Sequence, residues 1–243
     1  MLIGGLQPVS LLDYPDKVAA IVFTKGCNFL CRYCHNPLLV RPEKAGAKNT
    51  TSQPAIQLAD LWAFLDQRKG RLEAVVITGG EPTLHQDLLE MLKGIKKRGF
   101  LVKLDTNGTN SQVVIEAAQA GLIDYVAMDV KAPWERYHRV MPVAADILTG
   151  LTEEAKKTAK WLIGQNIVDY QFRTTLVPEI LGESDIRLMS EQLRGAKQWF
   201  LQKGYLTREI LDPNLAAGRS YTDAEMEHLV SVAQEVIKQT EDR

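Results

Sequence analysis

Apolar residues recur along the chain in short, nearly continuous runs separated by longer amphipathic stretches. "VAAIVFT" (18–24), "AVVIT" (74–78), "LVKLDT" (101–106), "YVAMDV" (125–130) and "DYQFRTTLV" (169–177) read as strands, and "QWFLQ" (198–202) as a weaker sixth. Continuous apolar character, rich in β-branched residues, is what strands covered on both faces of a parallel sheet require. Between them lie helix patterns with recognisable ends. "LHQDLLEMLKGIKKRG" places Leu84, Leu88, Leu92 and Ile95 at helical spacing, with basic residues in the last turn and Gly99 as the stop. "SQVVIEAAQAG", "TEEAKKTAKWLIG" and "SDIRLMSEQLRG" end at Gly121, Gly164 and Gly195. The last helix, about 222–240, opens on "TDAE", where Thr222 and Glu225 form a capping box. Six βα units imply parallel strands with right-handed crossovers. The expected fold is α/β, a partial (β/α)6 TIM-like barrel with outer helices.

No linker rich in Pro, Gly and Ser divides the chain, so 1–243 is read as a single domain with its core at about 18–205. Two stretches read as long loops, 37–55 and 132–150. Hydrophobic residues make up 45% of the 243, enough for a sizeable core, and the net charge of −1 argues against a nucleic-acid binder held by bulk charge. No apolar run approaches a membrane span, and the start carries no secretory pattern. With three cysteines a disulfide framework is not expected, and a reducing, cytoplasmic setting is.

The chemistry gathers at the strand ends. All three cysteines, Cys27, Cys31 and Cys34, lie in one loop after the first strand, "GCNFLCRYCHNP". Strand two ends in "GGEPT" (79–83), strand three in "DTNG" (105–108) and strand four in "DVK" (129–131), and strand five carries Arg173. In a parallel barrel these ends share one rim. Three thiolates in a tight polar loop make a soft-metal site. Zinc would want a fourth ligand, for which His35 is the neighbour at hand. A [4Fe–4S] cluster usually takes four cysteines, and a fourth does not exist here, so one iron would stay open. Gly79 and Gly80 read as turn glycines or as backbone that approaches a ligand, with Glu81 able to accept from an ammonium group. Arg173, a charge inside an apolar strand, is expected to face the crevice and bind a carboxylate.

C-x3-C-x2-C with an aromatic Tyr33, followed by a GGE turn, resembles the radical S-adenosylmethionine superfamily. "YCHNP", "GGEPTL", "LDTNG", "MDVKAP" and "FRTT", in this order, resemble its glycyl-radical-enzyme activating proteins, among them those serving anaerobic ribonucleoside-triphosphate reductase. The resemblance runs from about residue 5 to 215. It implies that Cys27, Cys31 and Cys34 ligate three irons of a [4Fe–4S] cluster and that S-adenosylmethionine takes the fourth. It places Gly79, Gly80 and Glu81 at the amino group, Asp129 and Lys131 near the methionyl end, Arg173 near the cofactor, and Tyr33 and Asn36 lining the cofactor beside the cluster. It also implies a monovalent-cation site at Asp105, Thr106 and Asp129. The implied partners are a glycyl radical enzyme and a flavodoxin- or ferredoxin-type electron donor, with no nucleic acid and no membrane. Asp16 stands where relatives usually carry glycine, and the histidine that pyruvate formate-lyase activators carry after strand six has no counterpart in "FLQKGYLTREILDP". Other readings are an activator of a different glycyl radical enzyme, a 7-carboxy-7-deazaguanine synthase-like enzyme, and a zinc-binding interaction module.

Overall fold

The computed structural model describes residues 1–40, 56–141, 143–207 and 209–241, with side chains to 235. Seven strands form one sheet in the order β1-β2-β3-β4-β5-β6-β7, so each strand neighbours its successor in the chain. They are β1 (Ile3–Ser10), β2 (Ala19–Thr24), β3 (Ala74–Gly79), β4 (Leu101–Thr106), β5 (Tyr125–Asp129), β6 (Asp169–Leu176) and β7 (Trp199–Lys203). β2–β3, β3–β4 and β6–β7 pair in parallel. The helices are α1 (Pro37–Val40), α2 (Leu58–Gln67), α3 (Leu88–Lys97), α4 (Ser111–Gln119), α5 (Ala145–Gly164), α6 (Glu183–Gln192) and α7 (Asp223–Glu241). Sequential strand order with helical crossovers is the α/β, barrel-like arrangement that the hydrophobic pattern predicts. No helix among the described residues is long and apolar enough to cross a membrane.

The chain divides into two compact units. The first holds Met1–Phe29, Leu38–Ala127 and Asn166–Asp169, and the second holds Leu30–Pro37, Met128–Gln165 and Tyr170–Arg243. In the first, Ala19–Val22 and Ala74–Ile77 are buried on both faces. One face of the strands carries Ile21, Val76 and Leu101 against Tyr14 and Tyr125. On α3, Leu88, Met91, Leu92 and Ile95 form the buried stripe. In the second, α7 packs on α6. Its Thr222–Glu225 capping box forms in both directions: Thr222 N–H donates to Glu225 at 2.8 Å, and Glu225 N–H donates to Thr222 Oγ1 at 3.3 Å.

Four expectations need correction. β1, which the hydrophobic pattern does not announce, pairs antiparallel with β2 and adds a seventh strand. The helix expected from Leu84 starts at Leu88, because Pro82–Leu84 form a 3-10 turn and His85 is extended. Leu84 is therefore an exposed residue of that turn. The stretch 132–150 is no simple loop: Trp134–Arg139 form a 3-10 helix and α5 begins at Ala145. The other expected loop, 37–55, opens with α1, and 41–55 lie outside the described residues.

Asp16 adopts φ +57°, the single non-glycine residue with positive φ among the described ones. Left-handed backbone costs an L-residue about 1–2 kcal/mol, less for Asp, and costs glycine nothing steric. Asp16→Gly should therefore stabilise the fold by about 0.5–1 kcal/mol, net of glycine's larger unfolded-state entropy. Thermal denaturation should show a Tm about 1–4 °C higher.

Candidate functional site

In the first unit the site is built on backbone contact. Gly80 N–H donates to Thr24 O at 2.9 Å, and Glu81 N–H donates to Gly26 O at 2.8 Å, so the end of β3 is stitched to the loop that opens the cysteine segment. Gly79 has φ +114°, and a Cβ there would overlap the Thr24 backbone; at Gly80 it would overlap the Gly26 carbonyl. These two glycines are required by close packing of one backbone on another, which is where the space left by their missing side chains goes.

Glu81 is 1% exposed, and its carboxylate is fully engaged. Oε1 accepts from Thr83 N–H (3.1 Å), Thr83 Oγ1 (2.6 Å) and Thr106 Oγ1 (2.7 Å), while Oε2 accepts from Asn107 N–H (2.7 Å). Burial pushes its carboxyl upward, and the four donors pull the other way. This is a different task from the expected one: Glu81 ties the end of β3 to the end of β4. Around it runs a network that sequence reasoning missed. Asn28, next to Cys27, accepts from Asn107 Nδ2 at 2.9 Å and donates to Thr109 Oγ1 at 2.7 Å, and Thr109 N–H donates to Asn107 Oδ1 at 3.0 Å. Phe29 N–H lies 3.3 Å from Cys27 Sγ, a donor that suits a thiolate. Asp105 receives the ammonium of Lys103 at 2.8 Å.

The second unit holds the rest. Cys31 is buried and Cys34 half-buried, and neither they nor Cys27 are joined in a disulfide. Cys34 N–H donates to Cys31 O at 2.9 Å, closing a turn around Tyr33. Leu211 N–H donates to Cys34 O (3.1 Å) and Asp212 N–H to Arg32 O (2.9 Å), while Arg32 Nε bonds Asp212 at 2.8 Å. Burial pushes the Cys31 thiol up to about 11, and the Lys131 ammonium acts against it. Tyr33 is buried, and its hydroxyl has no hydrogen-bond partner among the described residues. Asn36 and His35 are exposed. Arg173 Nε bonds Asp129 Oδ1 at 2.8 Å and Lys131 Nζ approaches Oδ2 at 3.3 Å. Burial would push the Asp129 carboxyl up; the two cations outweigh it and hold the carboxyl below its ordinary value. The carboxylate expected for Arg173 is thus, in this structure, one of the chain's own. Among the described residues no three His, Cys, Asp or Glu side chains gather closely enough to hold one metal ion.

Two consequences are measurable. In Glu81→Gln the amide NH2 must face either Asn107 N–H or Thr83 N–H, so one buried donor loses its acceptor whichever way the amide turns. The loss should be about 2–3 kcal/mol, or a Tm about 4–12 °C lower. Asp129, with its depressed folded pKa, contributes stability that is present above the unfolded carboxylate value, about 4, and is lost as pH falls through the folded value. The stability gap between the wild-type chain and Asp129→Asn should therefore be full at neutral pH and close on acidification below about pH 4, as read from denaturant midpoints across pH.

A family model described as the radical SAM superfamily matches residues 21–187. A Methanocaldococcus jannaschii protein provisionally described as a glycyl-radical enzyme activating enzyme is 34% identical over 206 residues, 83% of this chain and 79% of that protein. The pyruvate formate-lyase-activating enzyme of Clostridium pasteurianum is 29% identical over 52% of this chain and 53% of its own. Among solved structures, Streptococcus suis SuiB superposes with a TM-score of 0.64 over 91% of this chain at 17% identity. The chain spans 46%, about half, of SuiB's length, and this likeness concerns the fold. Radical SAM enzymes use a [4Fe–4S] cluster and S-adenosylmethionine. Matched by the family model over most of its length and by a relative at 34% identity, the chain belongs to the radical SAM superfamily and is an enzyme of that class.

Proposed function

We propose that this chain activates a glycyl radical enzyme, and specifically anaerobic ribonucleoside-triphosphate reductase. The observation that carries the reading is the donor set: three cysteines in a single loop, none in a disulfide, and no fourth anywhere in the sequence. Cys27, Cys31 and Cys34 would hold three irons of a [4Fe–4S] cluster, leaving one iron for an outside ligand. Each thiolate would bind its own iron, so the three sulfurs need not converge on one atom as they would for zinc. When bound, such a cluster would supply the electron for reductive cleavage of S-adenosylmethionine, the chemistry needed to remove a Cα hydrogen from a glycine of the partner.

The chain's own residues bind, orient and shield. Asp129, Arg173 and Lys131 together carry two positive charges against one negative. Their net charge suits the cofactor's carboxylate, which Lys131 or Arg173 would meet while Asp129 keeps both cations in place. The buried, unpartnered Tyr33 hydroxyl is a polar atom of the kind a bound cofactor satisfies. Glu81 and the Asn28–Asn107–Thr109 network hold the backbone around Cys27, and through it the position of one cluster ligand. Gly79 and Gly80 let the end of β3 reach that loop, with their carbonyls as candidate acceptors for the cofactor's ammonium. Asn36, exposed beside the cysteines, is placed where a cofactor or a partner would meet it. No His–Asp or Cys–His catalytic pair is needed, because the difficult chemistry belongs to the cofactors. The single-domain reading of 1–243, a cytoplasmic setting and a flavodoxin- or ferredoxin-type reductant complete the proposal.

A second reading is activation of a pyruvate formate-lyase-type enzyme, favoured by the Clostridium relative. The missing histidine in the segment that follows β7 speaks for the reductase branch. The test mixes the anaerobically reconstituted chain, S-adenosylmethionine and a strong reductant with each purified candidate partner. The expected result is a glycyl-radical doublet in the electron paramagnetic resonance spectrum of the reductase, absent with pyruvate formate-lyase and absent when Cys31→Ser replaces the wild-type chain. A doublet on pyruvate formate-lyase alone would establish the second reading, and cofactor cleavage with no radical on either would overturn both.

A further inference from the structure

β4 carries a charge where its neighbours are apolar. Lys103 lies between buried Val102 and Leu104 and opposite Val76 of β3. Its side chain is 3% exposed, and that of Asp105 is 11% exposed. Strand alternation puts Leu101, Lys103 and Asp105 on one face of β4 and Thr106 on the other. Leu101 belongs to the apolar cluster of Tyr14, Ile21, Val76 and Tyr125. The lysine stem can therefore run along apolar surface while its Nζ donates to Asp105 Oδ1 at 2.8 Å. A buried ammonium is costly unless it is paired and hydrogen-bonded, so its presence in the middle of a strand calls for a reason.

The residues that the resemblance gathers into a monovalent-cation site supply one. Each is already engaged by the chain. Thr106 Oγ1 donates to Glu81 and accepts from Gly108 N–H at 3.0 Å. Asp129, in the second unit, holds Arg173 and Lys131. Asp105 holds Lys103. We propose that the Lys103 ammonium is a built-in monovalent cation: it takes the place at Asp105 that a free potassium, sodium or ammonium ion would occupy, and the chain folds and binds its cofactor without one. An ammonium group has the charge of such an ion and nearly its size. Because the strand fixes it two residues from its carboxylate, its occupancy does not depend on salt, and a buried pair is screened little. The part of the proposal that concerns cofactor binding rests on the function proposed above; the part that concerns folding does not.

The test measures Tm of the purified chain in potassium, sodium, ammonium and choline chloride at equal ionic strength. The wild type should melt at one temperature in all four. Lys103→Ala should melt about 6–20 °C lower in choline, as breaking a buried pair predicts. It should recover selectively in potassium or ammonium chloride. Lys103→Ala with Asp105→Asn, which removes the carboxylate's demand, should not respond to the cation. A wild type stabilised by potassium or sodium over choline would overturn the proposal. So would a Lys103→Ala chain that loses nothing or is equally unstable in every salt. Should that variant fold in none of them, binding of S-adenosylmethionine to the reconstituted wild type decides. Equal affinity in potassium and choline supports the proposal, and a several-fold gain in potassium overturns it. Absence of any S-adenosylmethionine binding would sink the proposed function while leaving the melting results to judge Lys103.

Discussion

The buried carboxylate of Glu81 is the constraint around which the first unit's half of the site is arranged. Its two oxygens take four donors from Thr83, Thr106 and Asn107. Its backbone N–H reaches the Gly26 carbonyl, one residue before Cys27. Three chain segments that are far apart in sequence thus meet through one residue. The glycines beside it are what permit the approach, since a Cβ at either would collide with backbone. The segment that leads into Cys27 gains a fixed floor this way, and every bond in that floor is made within the protein.

The same economy governs the charges. Asp105 is answered by Lys103, Asp129 by Arg173 and Lys131, and Arg32 by Asp212. Within each unit the chain has already paired these acids and bases with one another. Asp129 is met by two cations, Arg173 and Lys131, and Asp105 by Lys103.

Much of this was legible in the residues. The six strands that alternate with helices, the Thr222–Glu225 box and the strand-end motifs all follow from local pattern, because each is determined within a few residues. β1 escaped because Gly4, Gly5 and Pro8 interrupt its alternation; an edge strand tolerates them where a central one would not. α2 carried a signal that went unread, with Leu58, Leu61 and Leu65 at helical spacing. The role of Glu81 could not be read, since Thr106 and Asn107 lie about a quarter of a hundred positions away and only the fold brings them near. Lys103–Asp105 was within reach: two residues apart on one strand means one face. The continuous apolar reading of β4 hid it.

The account rests on a cluster with one iron left open, and one measurement addresses that directly. After anaerobic reconstitution with iron and sulfide, the reduced chain should give the electron paramagnetic resonance signal of a [4Fe–4S]+ cluster. The signal should change shape when S-adenosylmethionine is added. A colourless chain that keeps zinc and gives no such signal, or a cluster whose signal ignores the cofactor, would contradict it.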